Sequence, residues 1–452
     1  MGLVSQLVRR IPSKVAIPSL EDISKGRLPP RLSFLRRRIR LKGNSSISIP
    51  LGVVLLFPVT VILLIMLLFS RQPDNPTSIL IPSGSPPAIR KISEIYDKPF
   101  VVGCLEPVTD TPRVNAAFVV LARNSELDGV IQSVKSIERH FNRWYNYPYV
   151  FLNDEEFNET FKSTIINYTS GSVEFGSIPK TMWGFPDWVD KDEATESIAK
   201  QGDAAIMYGG MASYHHMCRF YSGFFYKHEL LAKYEWYWRL EPEIKYFCDI
   251  TYDPFLHMQR QNKTYGFTIA VKELKETVPN IFRYASAYKR NNNIQTTEAY
   301  NMCHFWSNFE IARLDFFRSE KYEKFFETMD RSGGFWTERW GDAPIHSLAT
   351  GVLLEPSDIH YFRDFGYRHT TIQHCPANAP ARQLPRPKWL EKTTTDPKKA
   401  KEEDDYWENW DSVKENGVGC RCRCDTDIVD VEGKQGSCLS EWVNVAGGWT
   451  SA

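Results

Sequence analysis

The hydrophobic pattern changes character twice along the chain. Between residues 47 and 69 there is no charged side chain, and Val53, Leu55, Leu56, Val61, Ile62, Leu63, Leu64, Ile65 and Leu67 make the run apolar on every side. A helix of that length spans roughly 30 Å of hydrocarbon, so one transmembrane helix is expected, with Pro50 and Pro58 as kinks that a membrane helix tolerates. Beyond residue 113 the pattern becomes short apolar runs separated by helical spacing. Residues 115–124 are apolar and β-branched and end in polar groups, as a buried first strand does. Leu127, Val130, Ile131, Val134 and Ile137 recur at helical spacing within 126–140, and 147–154 reads as a second strand. That order implies a right-handed crossover and parallel pairing. Residues 203–231 read as helical around Tyr214 to Phe220, 234–240 as a central strand and 266–270 as another short one. The expected fold class is α/β with a mainly parallel central sheet, preceded by one transmembrane helix.

Charge adds an orientation. Residues 1–46 carry Arg9, Arg10, Lys14, Lys25, Arg27, Arg31, Arg36, Arg37, Arg38, Arg40 and Lys42 against only Glu21 and Asp22. The basic side stays cytoplasmic, which makes the chain a single-pass type II membrane protein with everything after Arg71 in the lumen of the secretory pathway. A cleaved signal peptide is the competing reading; the basic arm is too long for one, and no small-residue cleavage site is clear. The formal net charge of +0 averages a basic arm and a mildly acidic remainder, and that split excludes a nucleic-acid partner. Sequons at Asn158, Asn167 and Asn262 agree with a lumenal domain. Nine cysteines can pair in an oxidising compartment, with at least one thiol left over, and the one-residue gaps of Cys420, Cys422 and Cys424 favour disulfides or free thiols over zinc. The expected organisation is a cytoplasmic arm over 1–46, a signal anchor over 47–69, a Pro/Ser/Thr-rich stem over 70–112, a globular domain over 113–376, and over 377–452 a polar, poorly ordered extension to about 415 followed by a Cys-rich tail that docks back on the core.

Candidate chemistry concentrates where the aromatic run from Trp236 to Trp238 leads through Arg239 into Glu241, Pro242 and Glu243. Pro242 ends regular pairing, so the carboxylates are expected at the C-terminal edge of the central strand, where open α/β sheets collect ligands. A divalent ion there would join a carboxylate to a diphosphate. Read alone, the pair is more simply a solvated strand end, with or without a salt bridge to Arg239.

Longer strings decide more. Residues 146–154 (NYPYVFLND), 214–220 (YHHMCRF), 237–242 (YWRLEP), 303–310 (CHFWSNFE) and 333–344 (GGFWTERWGDAP) occur in that order. Together they closely resemble the fungal α-1,2-mannosyltransferases of glycosyltransferase family 15, over roughly residues 115 to 375. The resemblance implies a GT-A fold, GDP-mannose as donor, a mannose-terminated glycan as acceptor, Mn2+ as cofactor, retention of anomeric configuration and a Golgi location. It makes Glu241 and His369 the metal ligands, Glu310 the candidate nucleophile or electrostatic stabiliser, and Asp342 the group that orients or deprotonates the attacking hydroxyl. Arg123, Tyr214, Arg219 and Arg239 fall to the nucleotide side, where guanidinium forks suit a diphosphate. Each has a plainer reading: a hydrogen-bonded histidine for His369, a helix start for Glu310, a turn cap for Asp342, salt bridges for the arginines. Phe335, Trp336 and Trp340 stack on sugars or fill the core. The expected activity is transfer of α-mannose from GDP-mannose to a mannose hydroxyl on an N-linked, O-linked or lipid-linked glycan. The alternatives are transfer of mannose phosphate from the same donor and mannan binding without turnover.

Overall fold

The structure is a computed structural model that describes residues 101–296 and 300–383, most of 410–446, and isolated positions at 38–40, 48–50, 398 and 401. The chain divides into two compact units, Met1–Gly84 and Ser85–Ala452. In the first, Arg38–Arg40 pairs antiparallel with Ser48–Pro50. Of the expected membrane span over 47–69 only Ser48–Pro50 is described; Ile47 and 51–69 lie outside the described residues, as do the stem residues up to 100. Among the described residues no helix is long and apolar enough to cross a membrane.

The second unit is built on seven strands: β1 (Ala116–Leu121), β2 (Tyr149–Asn153), β3 (Val173–Ser177), β4 (Trp236–Leu240), β5 (Tyr265–Phe267), β6 (Ile311–Arg313) and β7 (Ile359–Tyr361). Their order in the sheet is β7-β5-β6-β4-β1-β2-β3. Pairing is parallel from β4 through β1 and β2 to β3, and between β5 and β7; β6 alone runs against its neighbours. The sheet is mainly parallel, as the strand–helix alternation implied.

Side-chain alternation across the pleat splits the core into two layers. Phe118, Val120, Trp236 and Trp238 face one way and are covered by Val130, Val134 and Ile137 of α1 (Leu127–Ile137). Ala117, Val119 and Tyr237 face the other, against Phe220 and Tyr221 of α3 (Ala212–Gly223) and Ile345 and Leu348 of α4 (Asp342–Leu353). The expected strand over 266–270 is two pieces: β5, and then Ala270–Lys272, which leaves the sheet to pair with Cys303–Phe305. The expected helix over 203–231 is shorter than its pattern. A helix α2 (Lys191–Asp203) stops where that reading started, 204–211 is a loop, α3 follows, and two 3-10 turns replace its end. Gly209 and Gly210 supply the reason, since glycine is among the poorest helix formers.

The Cys-rich tail is part of this unit. Cys420, Cys422 and Cys424 bind Cys104, Cys248 and Cys375, and Cys438 binds Cys303; among the described residues Cys218 is the free thiol, and it is buried. The polar extension also begins inside the fold. Asn378 is fully buried and donates from Nδ2 to the carbonyl oxygens of Asp411 and Cys422. These links fasten the tail behind the strand Ile244–Tyr246, which follows directly on the acidic edge of β4 and pairs with Tyr367–His369.

Candidate active site

The site grows out of β4. Strand pleating puts Tyr237, Arg239 and then Glu241 on the α3 side, while Trp236, Trp238 and Leu240 anchor the opposite layer. Arg239 is consequently buried, and its guanidinium must be matched by acids. Its Nε donates to Glu241 Oε1 at 2.6 Å, its Nη1 to Asp342 Oδ2 at 2.5 Å, and Glu310 Oε1 lies 3.9 Å from Nη1. The planar group lies 3.5 Å from the centroid of the Tyr221 ring. Burial opposes its charge, yet the surrounding carboxylates raise its pKa well above the ordinary arginine value.

Glu310 immediately precedes β6, not a helix, so no helix dipole acts on it; its carbonyl accepts from Arg239 N at 2.9 Å. Its side chain is fully buried. Tyr237 donates to Oε1 at 2.7 Å, Tyr265 to Oε2 at 2.8 Å, and His346 Nδ1 lies 3.0 Å from Oε2. The other imidazole nitrogen, Nε2, faces the Tyr221 carbonyl at 3.0 Å. With an acceptor at each nitrogen the ring suits the doubly protonated form. Burial by itself would depress the His346 pKa, and the Glu310 carboxylate outweighs it and raises the pKa.

Asp342 opens α4, as a turn-capping residue would, but its side chain turns inward and Oδ2 accepts from both Arg239 and Ser307 (2.6 Å). Desolvation pushes its pKa up; Arg239, with His346 and Ser307, reverses this and holds the carboxyl below its usual range. Glu241 is the member of the group that reaches the surface, with 15% of its side chain exposed. There it forms part of a cleft of about 200 Å³ at the C-terminal edge of β1, β2 and β4, walled also by Arg123, Asp154, Trp183, Met211 and Tyr214. Glu243 is exposed, in a left-handed turn at φ 63°.

The remaining expected residues divide. Arg123 and Tyr214 line the cleft; the Arg123 guanidinium is largely exposed and paired with Glu126 at 2.7 Å. Arg219 does not line it. Both Nε and Nη2 are committed to Asp330, at 2.7 and 2.8 Å, in the buried salt bridge that is its plainer reading. Arg239 likewise holds the acids together from beneath rather than facing the opening. His369 pairs with Ile244 in the small sheet, so it stands beside the turn that carries Glu241, with its ring against Trp306. Its Nδ1 is buried without a hydrogen-bond partner, and burial followed by the Arg239 charge lowers its pKa to about 4. A neutral imidazole with an unpartnered nitrogen and a carboxylate with 15% of its side chain exposed are donors of the kind that Mn2+ takes. The groups of three ligating side chains that the described residues do form involve cysteines already in disulfides. Phe335, Trp336 and Trp340 are buried and fill the core, so they offer no sugar platform.

Sequence reasoning passed over Tyr221, Tyr237, Tyr265, Ser307 and His346. Two signals were available: Tyr237 and Arg239 share the strand period with Glu241, and His346 lies four residues after Asp342, on the same helix face.

With this geometry in hand, similarity to known proteins can be placed. Residues 97–387 match the glycolipid 2-alpha-mannosyltransferase family. The O-glycoside alpha-1,2-mannosyltransferase homolog 4 of Schizosaccharomyces pombe is 45% identical over 440 residues, covering 86% of this chain and 91% of that protein. The X-ray structure of the mannosyltransferase Ktr4p from S. cerevisiae in complex with GDP superposes with a TM-score of 0.58 at 36% identity, covering 63% of this chain and 80% of that one. Core-mannan synthase A from Aspergillus fumigatus, in its Mn/GDP form, gives a TM-score of 0.58 at 37% identity over 66% of this chain and 86% of that one. The chain is a glycosyltransferase, and it belongs to the fungal α-1,2-mannosyltransferases of glycosyltransferase family 15.

Proposed function

We propose that the protein transfers α-mannose from GDP-mannose to a mannose hydroxyl of a glycan, with retention and with Mn2+. The observation that carries this is the cluster of Glu241, Asp342 and Glu310 around the single guanidinium of Arg239, opening through Glu241 into the cleft at the edge of the parallel sheet. Even with His346 protonated, three carboxylates exceed two cations. That excess favours a bound divalent cation and the positive charge that develops on a departing mannosyl group. Relatives whose structures hold GDP and Mn/GDP support the same donor and metal here.

Glu241 and His369 would hold the metal, which would supply positive charge to neutralise the diphosphate leaving group. Arg123 and Tyr214, across the cleft, orient the nucleotide. Asp342, held ionised by Arg239 and fixed by Ser307, orients the acceptor hydroxyl and accepts its hydrogen bond. Both Glu310 oxygens are already engaged, so its part is electrostatic: a fixed negative charge beneath the reacting centre, not a free nucleophile. The basic arm and the disulfides support a lumenal, Golgi-membrane setting.

The test is direct. Purified full-length protein with GDP-mannose, Mn2+ and methyl α-mannoside is expected to release GDP and give an acceptor heavier by one hexose, α-1,2-linked by linkage analysis. Gain of a hexose phosphate would replace the reading with phosphomannosyl transfer, and no turnover across a panel of mannosides would overturn it.

A further inference from the structure

Three exposed large apolar residues fall within one short segment: Met207, Tyr208 and Met211, at 56%, 52% and 46% exposure. The segment, 204–211, joins α2 to α3 and carries no charged side chain. It sits at the mouth of the cleft, whose wall includes Met211 and Tyr214. Clustered exposed apolar groups mark binding surfaces.

The backbone of this segment puts Ala205 and Tyr208 where glycine would be unstrained. At the end of α2, Ile206 N donates to Gln201 O at 3.1 Å and Ala205 takes φ 54°, the helix-terminal position that glycine usually fills. In the next turn Gly209 N donates to Ile206 O at 2.8 Å, and Tyr208 occupies the third position at φ 60°. A bulky residue there is a conformational outlier. The turn has no need of a tyrosine.

The strained segment is nonetheless held firmly. His215 has Nε2 at 2.8 Å from Gly209 O and Nδ1 at 2.6 Å from Phe335 O. Gly210 packs on Gly202 so closely that a Cβ on Gly210 would lie 3.0 Å from the Gly202 Cα. On this base the Tyr208 ring stacks on Tyr214, with centroids 4.8 Å apart and planes at 22°. Arg339 donates to the Tyr214 hydroxyl at 3.3 Å and fixes the lower ring in turn. One face of Tyr208 is used, and the residue remains half exposed.

We propose that Tyr208, flanked by Met207 and Met211, is the platform on which a pyranose ring of the acceptor mannoside rests. This depends on the mannosyl-transfer reading above. The uncharged segment offers nothing to a diphosphate, whose partners, Arg123 and the metal that Glu241 would hold, belong to the cleft, whereas the C–H face of a pyranose matches an open aromatic face beside two thioethers.

The test uses full-length protein with α-mannobiose as acceptor and the variants Y208G, Y208F and Y208W. Y208G removes the ring and relieves the backbone, so its melting temperature is expected to be no lower than wild type. Acceptor KM is expected to rise about tenfold, equivalent to about 1.4 kcal/mol, with donor KM changed less than about twofold. Y208F and Y208W are expected to keep the wild-type acceptor KM, because the face and not the hydroxyl makes the contact. An unchanged acceptor KM in Y208G, or a parallel rise in donor KM, overturns the platform. Saturation-transfer NMR with α-mannobiose separates this failure from that of the functional reading. A wild type that binds the sugar without turnover, with binding weakened in Y208G, overturns transfer alone; equal binding by both overturns the platform.

Discussion

Two buried clusters in this protein are made of the same parts and do opposite things. Around Arg239 stand Glu241, Asp342, Glu310 and His346; around Asp249 stand Arg421, with Nη2 2.6 Å from Oδ2, and His140, with Nδ1 2.8 Å from Oδ1. The first has more acids than bases and reaches solvent through Glu241. The second sets one acid against one arginine and an imidazole, lies wholly inside, and is bracketed by the disulfides of Cys248, Cys420 and Cys422. An excess of buried negative charge beside a cleft is costly unless a cation completes it, which is what the proposed metal-dependent transfer requires. A matched set behind disulfides only joins the tail to the core.

The comparison breaks first at Glu241. Glu241→Gln is expected to lower transfer by at least about a hundredfold, since even outer partners of metal ligands cost roughly 10–100-fold, while Glu243→Gln stays near wild type. Mn2+ titration by calorimetry should show affinity lost in the first variant and kept in the second. Equal effects of the two would mean that the acidic edge acts as a diffuse charge. Next come the arginines. Arg239→Met and Arg421→Met each strand buried carboxylate and should each cost about 3–5 kcal/mol by denaturant unfolding. Only Arg239→Met should also remove activity from the molecules that remain folded; loss of specific activity in Arg421→Met would erase the distinction between the clusters. Removing the tail staple with Cys248→Ala and Cys422→Ala together is expected to cost about 2–5 kcal/mol without changing KM for the donor.

What the sequence could reveal follows the range of each interaction. α1 was legible because Leu127, Val130, Val134 and Ile137 repeat at a local period, and Glu241 because Pro242 marks a strand end. Partners brought together by topology were not. Arg219 finds Asp330 across 111 positions, and nothing near Arg219 distinguishes a salt-bridged arginine from one that waits for a phosphate. Glu310 looked like a possible helix start because its local string is silent on the antiparallel β6, a pairing settled by residues of β4 and β5. The odd cysteine count required a free thiol, but only the fold selects Cys218, which is buried within α3. The tryptophans near Asp342 were ambiguous for a related reason: an aromatic reads alike whether it fills a core or meets a sugar, and only burial decides.

The smallest effect sharpens the comparison most, because the two histidines titrate in opposite senses. Burial lowers the His140 pKa despite Asp249, so the folded protein binds that proton less readily than the unfolded chain. The stability it lends is present above the unfolded histidine value of about 6.5 and is lost as pH falls below it. His346 is raised by Glu310, so its contribution is complete below about 6.5 and is lost as pH rises through its folded value. Unfolding free energy measured from about pH 5 to about pH 9 should therefore lose part of its acid limb in His140→Asn and part of its alkaline limb in His346→Asn, with each tenfold difference in proton affinity worth about 1.4 kcal/mol. If both variants flatten the same limb, the clusters share one electrostatic character, and the carboxylate excess around Arg239 no longer separates the working site from the structural one.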